Sequence, residues 1–213
     1  MKFPIFTSII LLVIIFQINL RRINKKEAQQ EKEYWERERA AFIAPRKDIS
    51  GLDYIKMPEG LPLDFPIEDK KAEELRTRLI NLSKQKIINL YGMSNTDIRL
   101  TYGALNFETL SMADTRYLIF IRTLSELAGV YYDQGFIDEA RTILEYAIDI
   151  DSDVRNTYVL LTKIYKAAGE TEKVAGLKEK AENIKTLSRD GVVAALNEIE
   201  LDELLDEGEP VSL

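Results

Sequence analysis

The stretch "LAGVYYDQGFIDEARTILEYA", residues 127–147, has a faint copy in "LTKIYKAAGETEKVAGLKEKA", residues 161–181. Set one above the other, Leu127 falls on Leu161, Tyr131 on Tyr165, Gly135 on Gly169 and Ala147 on Ala181, without a gap. Leu124 falls on Tyr158. The offset is 34 residues throughout, a period that belongs to helix-turn-helix units stacked side by side. The residue types suit such a unit: small alanines let two helices approach, the tyrosine fills the seam between them, and the glycine permits the turn.

Helical spacing extends on both sides of the echo. Ala72, Leu75, Leu79 and Leu82 recur at three- and four-residue steps, so a helix is expected over residues 69–91, ended by Gly92 as a left-handed cap. "SNTDIRL" caps a second helix that runs to about residue 112, and Asp114 is the candidate cap of a third over residues 115–133. Gly135 breaks that helix, and residues 137–150 form its partner. "DSD" at 151–153 caps a further helix to Ala168, another follows Gly169 to Leu187, and a last one covers residues 192–205. Nothing after residue 68 alternates as a strand does. An all-α domain of antiparallel hairpins with short connections is expected.

These residues resemble the tetratricopeptide repeat, whose signature sets a bulky residue, Leu-Gly, Tyr, Gly, Ala, an apolar residue and Ala at fixed intervals. In the first copy they are Leu124, Leu127 with Ala128, Tyr131, Gly135, Ala140, Leu144 and Ala147. The second copy keeps Tyr158, Leu161, Tyr165, Gly169 and Ala181 but departs at Thr162, Val174 and Lys178. Both lack the proline that ends the repeat, and Lys178 at an apolar position marks a terminal unit. The resemblance covers residues 121–188 and implies a short TPR-like α-solenoid. Since two such units rarely bury enough surface alone, the helices at 69–91 and 95–112 are expected to form a preceding hairpin, out of register because Asp97 stands at the tyrosine position. Three hairpins and a C-terminal helix result.

The resemblance also implies a concave groove lined by the first helix of each repeat, able to hold a peptide or helix. Its positions here are Arg122, Ser125, Gly129 and Tyr132, then Asn156, Val159, Lys163 and Lys166. Arg122, Lys163 and Lys166 would favour an acidic peptide. The chaperone-tail binders of the family carry Asn at the sixth position of these helices, where this chain has Glu126 and Leu160, so that ligand is not implied.

Ahead of the helical domain, "FPIFTSIILLVIIFQINL" at residues 3–20 carries no charge. Eighteen helical residues span about 27 Å, close to the hydrocarbon thickness of a bilayer. A cleaved secretory signal is the competing reading, but no small-x-small site follows and Arg21 with Arg22 ends the run. An uncleaved transmembrane signal-anchor is therefore expected, with lipid as a partner through residues 3–20. Arg21, Arg22, Lys25 and Lys26 place the bulk of the chain in the cytoplasm by the positive-inside rule. Lys2 also suits a secretory leader, which leaves the reverse orientation open. Residues 21–44 read as a charged juxtamembrane helix with pairs such as Glu33 and Arg37. A heptad seam from Ile23 meets Glu27, Gln30 and Arg37, so no coiled coil is expected. Residues 45–68 hold Pro45, Pro58, Pro62 and Pro66 among many apolar residues. An extended segment packed along the domain fits them, the alternative being a detachable ligand-like motif.

Composition removes several function classes. With Cys 0 and His 0, thiol chemistry, histidine bases and the common zinc sites are excluded. No phosphate-cradling glycine loop and no calcium-loop spacing occurs, so neither cofactor nor metal is expected. Glu139, Glu145 and Asp149 lie at helical spacing and read as a solvated face rather than an acid-base pair. The formal net charge of -7, without basic residues interleaved with aromatics, argues against nucleic acid. Acidic residues crowd the end, from Glu198 to Glu209, as a tail at 189–213 that could dock a basic partner or the chain's own groove. The expected function is a membrane-anchored adaptor that recruits an unidentified protein or acidic peptide and is not an enzyme. The alternative is a structural subunit or assembly factor of a membrane complex.

Overall fold

The structure, a computed structural model, describes residues 3–206, with side chains within residues 8–201 apart from residue 9. The acidic end beyond residue 206 lies outside the described residues. Described residues form helices α1 (Phe3–Phe42), α2 (Lys70–Ser83), α3 (Asn95–Tyr102), α4 (Phe107–Asp133), α5 (Ile137–Asp149), α6 (Arg155–Ala167), α7 (Thr171–Glu182) and α8 (Arg189–Asp206), with a 3-10 turn at Ala104–Asn106. Among them there is no strand. The all-α expectation holds. Two compact units emerge, one of Met1–Ile49 with Met93–Phe107 and one of Ser50–Gly92 with Glu108–Leu213.

In the first unit α3 lies on the C-terminal part of α1. Ser94 caps α3 by accepting from the Asp97 amide while the Asp97 carboxylate accepts from the Ser94 amide. The Ser94 hydroxyl, which donates to the Asp97 carboxylate at 2.6 Å, and then the Ser94 amide, helped by Arg37, hold the Asp97 carboxyl below its usual range. Arg37 pairs with Asp97, and Thr96 donates to Glu38. The expected partner of Arg37 was Glu33, which instead accepts from Gln29 at 2.9 Å. A folded neighbour displaced the local pair. The Arg99 guanidinium stacks on Phe42 at 4.9 Å and on Phe107 at 4.0 Å. Gly103, at φ 97°, touches the crossing chain: a Cβ there would strike the Pro45 carbonyl and lie 2.7 Å from the Arg46 Cα. Asn106 closes the crossing by donating to the carbonyls of Lys47 and Tyr102, both at 2.7 Å.

Two expectations fail at this point. Among the described residues no helix is long and apolar enough to cross a membrane. The transmembrane anchor and the single-pass membrane localisation are corrected accordingly. The apolar stretch whose side chains are continuously described covers residues 10–20, interrupted by Gln17 and Asn19. The remainder of the expected span, Ser8 apart, lies outside the described side chains. The second correction concerns α3. It belongs with α1 in the first unit, while α2, its expected hairpin partner, belongs to the second.

The second unit carries a single core drawn from α2, α4–α8 and the extended segment before α2. Helix α2 buries Ala72, Leu75, Leu79 and Leu82, the stripe seen in the sequence, but ends at Ser83. Gly92, at φ 82°, sits nine residues later in an irregular stretch and caps no helix. Asp114 is likewise no N-cap. Helix α4 runs through it unbroken, and its carboxylate accepts from the Leu90 amide at 2.9 Å, tying the irregular stretch down. Before α6, Asp151 takes φ 62° and Ser152 Oγ accepts from the Val154 amide at 3.3 Å. Of the segment expected over residues 45–68, residues 45–49 belong to the first unit and residues 50–68 to the second. Leu61, Leu63 and Ile67 are buried, and Ile55, Met57 and Phe65 lie against the core.

Candidate protein-binding face

Helices α4–α5 and α6–α7 each make a hairpin at the glycine of the echo. Gly135 has φ 85° and Gly169 φ 72°, a left-handed geometry that would strain a side chain by about 1–2 kcal/mol. In each turn the amide directly after the glycine closes onto the tyrosine carbonyl five residues back. Phe136 donates to Tyr131 and Glu170 to Tyr165, both at 2.9 Å. Leu127, Leu161, Tyr131, Tyr165, Ala140, Ala147 and Ala181 are all buried. The positions that echo in sequence are therefore equivalent in burial and in turn geometry.

Those core positions fix where the intervening side chains of α4 and α6 point. Ser125 is buried and Asn156 exposed, and the Asn156 amide reaches Ser125 Oγ at 3.5 Å. Gly129 lies under the same asparagine: a Cβ added there would come within 3.8 Å of Asn156 Nδ2 and 3.9 Å of Leu160. Ser125, Gly129 and Asn156 thus form one contact line between α4 and α6. Arg122 and Lys163 are exposed, while Tyr132, Val159 and Lys166 are half-buried. Lys166 is not an isolated cation, because it helps to lower the Glu200 carboxyl on α8, behind the larger effect of Lys178. Lys178 bonds Glu200 at 2.5 Å and Arg155 pairs with Glu198 at 3.6 Å. The first acidic residues of the C-terminal run are thereby engaged by the helical unit itself.

A second cluster joins the two hairpins on another side. Arg141 on α5 grips Glu170 with both guanidinium nitrogens, at 2.8 and 2.9 Å, and gives its Nε to Glu145 at 2.9 Å. Tyr165 donates to Glu145 at 2.9 Å, and Lys173 lies 2.9 Å from Glu170. Arg141 and then Lys173 hold the Glu170 carboxyl down at about 2, while burial, with Glu145 next, pushes the Tyr165 hydroxyl up. Every charge here has an opposite partner, so the cluster is a clamp and not an acid-base pair poised for chemistry. Sequence reading had placed Glu145 on a solvated face. The i,i+4 spacing of Arg141 and Glu145 was visible, but Glu170 enters from 29 residues away. Asp149 remains on the outside with Lys180 at 3.4 Å.

No protein-family model, curated protein or solved structure matches this chain. Among the described residues no group of three or more carboxylates is placed to hold a metal ion.

Proposed function

We propose that this protein is a binding scaffold whose α4–α7 hairpins form a short tetratricopeptide-like array, and that the exposed side of α4 and α6 receives a protein partner or peptide. The observation that carries the reading is the agreement of sequence echo and conformation at the two turns: one offset of 34 residues, two positive-φ glycines and two buried tyrosines. Arg122 and Lys163 are the exposed cations of that side, and they suit an acidic ligand. A scaffold is favoured over an enzyme because the ionisable residues drawn together are mutually neutralised.

A photo-crosslinking side chain in place of Lys163 tests this. A discrete adduct from Lys163 and none from Glu172, exposed on α7, is the expected result. Equal labelling at both positions, or none at either, removes the reading. R122E and K163E should each weaken the adduct formed from a neighbouring position.

A second reading is a structural subunit of a larger assembly, whose surface is permanently covered. It is supported by Ile43 and Leu105 of the first unit, 83% and 78% exposed, with Phe42 beside Ile43 at 65%. A protein that stays monomeric at high concentration would count against it.

A further inference from the structure

Residues 50–68 are held in an unusual way for a connecting segment. Their apolar side chains enter the core at every second position through Leu61, Leu63, Phe65 and Ile67, with Ile55 and Met57 on the same period. Their backbone forms no sheet. Tyr54, Leu63 and Ile67 donate to carbonyls within the segment, those of Leu52, Leu61 and Phe65, at 2.7 to 3.0 Å. Four carbonyls of the segment are taken by helix side chains. Tyr131 on α4 donates to Pro62 at 2.9 Å and Tyr146 on α5 to Lys56 at 3.2 Å. Arg76 on α2 donates to Leu63 at 3.4 Å and to Phe65. Phe65 lies against Tyr131 and Phe136 with ring centres 5.9 and 4.8 Å away. One backbone-to-backbone bond is recorded between the segment and the rest of the unit, from Ile55 to Ile87 at 2.9 Å.

This is how a protein holds a foreign extended peptide: side-chain donors take the ligand's carbonyls, and pockets accept alternate side chains. We propose that the face formed by α2, α4 and α5 is a second recognition site, distinct from the α4–α6 side, for an extended segment of a partner protein. That segment has apolar residues at alternate positions, and residues 55–67 are the site's built-in occupant. The helices keep their own backbone bonds when the segment leaves, since the donors involved are side chains. The rings of Tyr131 and Phe136 and the core that buries Leu61, Leu63 and Ile67 demand a replacement of the same pattern, not water. A partner supplying it would gain the site and release residues 55–67 for other contacts. Because the cis segment competes, the apparent affinity of a wild-type chain is reduced by the small fraction in which the site is open.

The test uses the full chain and a fluorescent synthetic peptide of residues 50–68. L63D, which weakens the cis segment, should bind this peptide at least about tenfold more tightly than wild type does, because the open fraction rises. A peptide of scrambled order should not bind. R76A added to L63D should reduce the gain. If L63D retains its helical content and cooperative melting but binds no peptide, the proposal is overturned. Hydrogen exchange on the wild type covers the case in which L63D does not fold. The amides of Leu63 and Ile67 should exchange by local opening, at least about a hundredfold faster than the buried middle of α4 and α6. Exchange of all these amides together, only with global unfolding, overturns the proposal as well. A doubled molar mass of L63D without peptide uptake would assign the exchange to a second copy and refute a partner's segment.

Discussion

The two hairpins share one offset and one turn, yet they are not equally built. In α4–α5 the side chains of Leu124, Leu127, Ala128, Ala140, Ile143, Leu144 and Ala147 are each 0% exposed, and the buried hydroxyls of Thr123 and Ser125 have partners in the Ile119 carbonyl and the Asn156 amide. In α6–α7 the interior admits Thr157 and Thr162, whose buried hydroxyls have no hydrogen-bond partner, and the position matching Leu144 is Lys178. Ion pairs and α8 make up the difference. Arg141, Glu170 and Lys173 clamp the second turn, while Lys178 turns outward to Glu200. The comparison teaches that a repeat can lose apolar consensus at its end when neighbours supply charge partners.

The sharpest way to break the comparison is to truncate matching cores. Leu144→Ala should cost about 2–5 kcal/mol, and Leu177→Ala in α7 should fall at or below the lower end of that range, because its site is closer to the surface and can collapse. Urea midpoints at unchanged slope measure both. Equal losses would mean that the second hairpin is as tightly built as the first.

The tyrosines come next. Tyr131→Phe leaves the Pro62 carbonyl without its donor and should cost about 1–3 kcal/mol, whereas Tyr165→Phe should cost less than about 1 kcal/mol because Arg141 still satisfies Glu145. The glycine turns are the control on which the hairpins should agree. Gly135→Ala and Gly169→Ala are each expected to lose about 1–2 kcal/mol through the positive φ alone. Thr162→Val should run the other way and raise stability by up to about 1 kcal/mol, since it deletes a buried unpaired hydroxyl at nearly constant shape.

The smallest effects lie in pH. Glu170 titrates at about 2 instead of 4.5 because Arg141 and Lys173 bond its charged form. A lowered pKa stabilises the fold fully above 4.5, and that contribution is lost as pH falls through about 2. Melting temperature should therefore decline across this window, and Glu170→Gln should flatten the decline. At the alkaline end the sign reverses. Burial raises Tyr146 and Tyr158 from 10.0 to about 12, so the neutral hydroxyls favour the fold below 10.0 and that preference fades as pH climbs through about 12.

Much of the second unit was legible because its information is periodic. The offset between Tyr131 and Tyr165, the glycine turns and the α2 stripe each repeat a residue type at a helical interval, and burial follows the repetition. The apolar content of residues 50–68 similarly announced a packed segment, although nothing in its order told which side chains would hold its carbonyls. The place of α3 was hidden for the opposite reason. An eight-residue helix that buries only Thr96 and Ile98 carries too little pattern to name its neighbour. The candidate face was partly legible. Arg122 and Lys163 are exposed, but Ser125 is buried in the seam and Gly129 lies beneath Asn156. The clamp of Arg141 and Glu170 was invisible, since charge partners from different hairpins leave no periodic trace.

Gly103 imposes an order of events on the chain. The end of α1 is completed by residues 93–107, which cross it where only a hydrogen atom fits between Gly103 and Pro45. During synthesis, α1 must wait for more than fifty further residues before that contact can form. The whole cis segment and α2 emerge within this interval, but the helices that bury them follow, so the first unit is complete in the chain before the second.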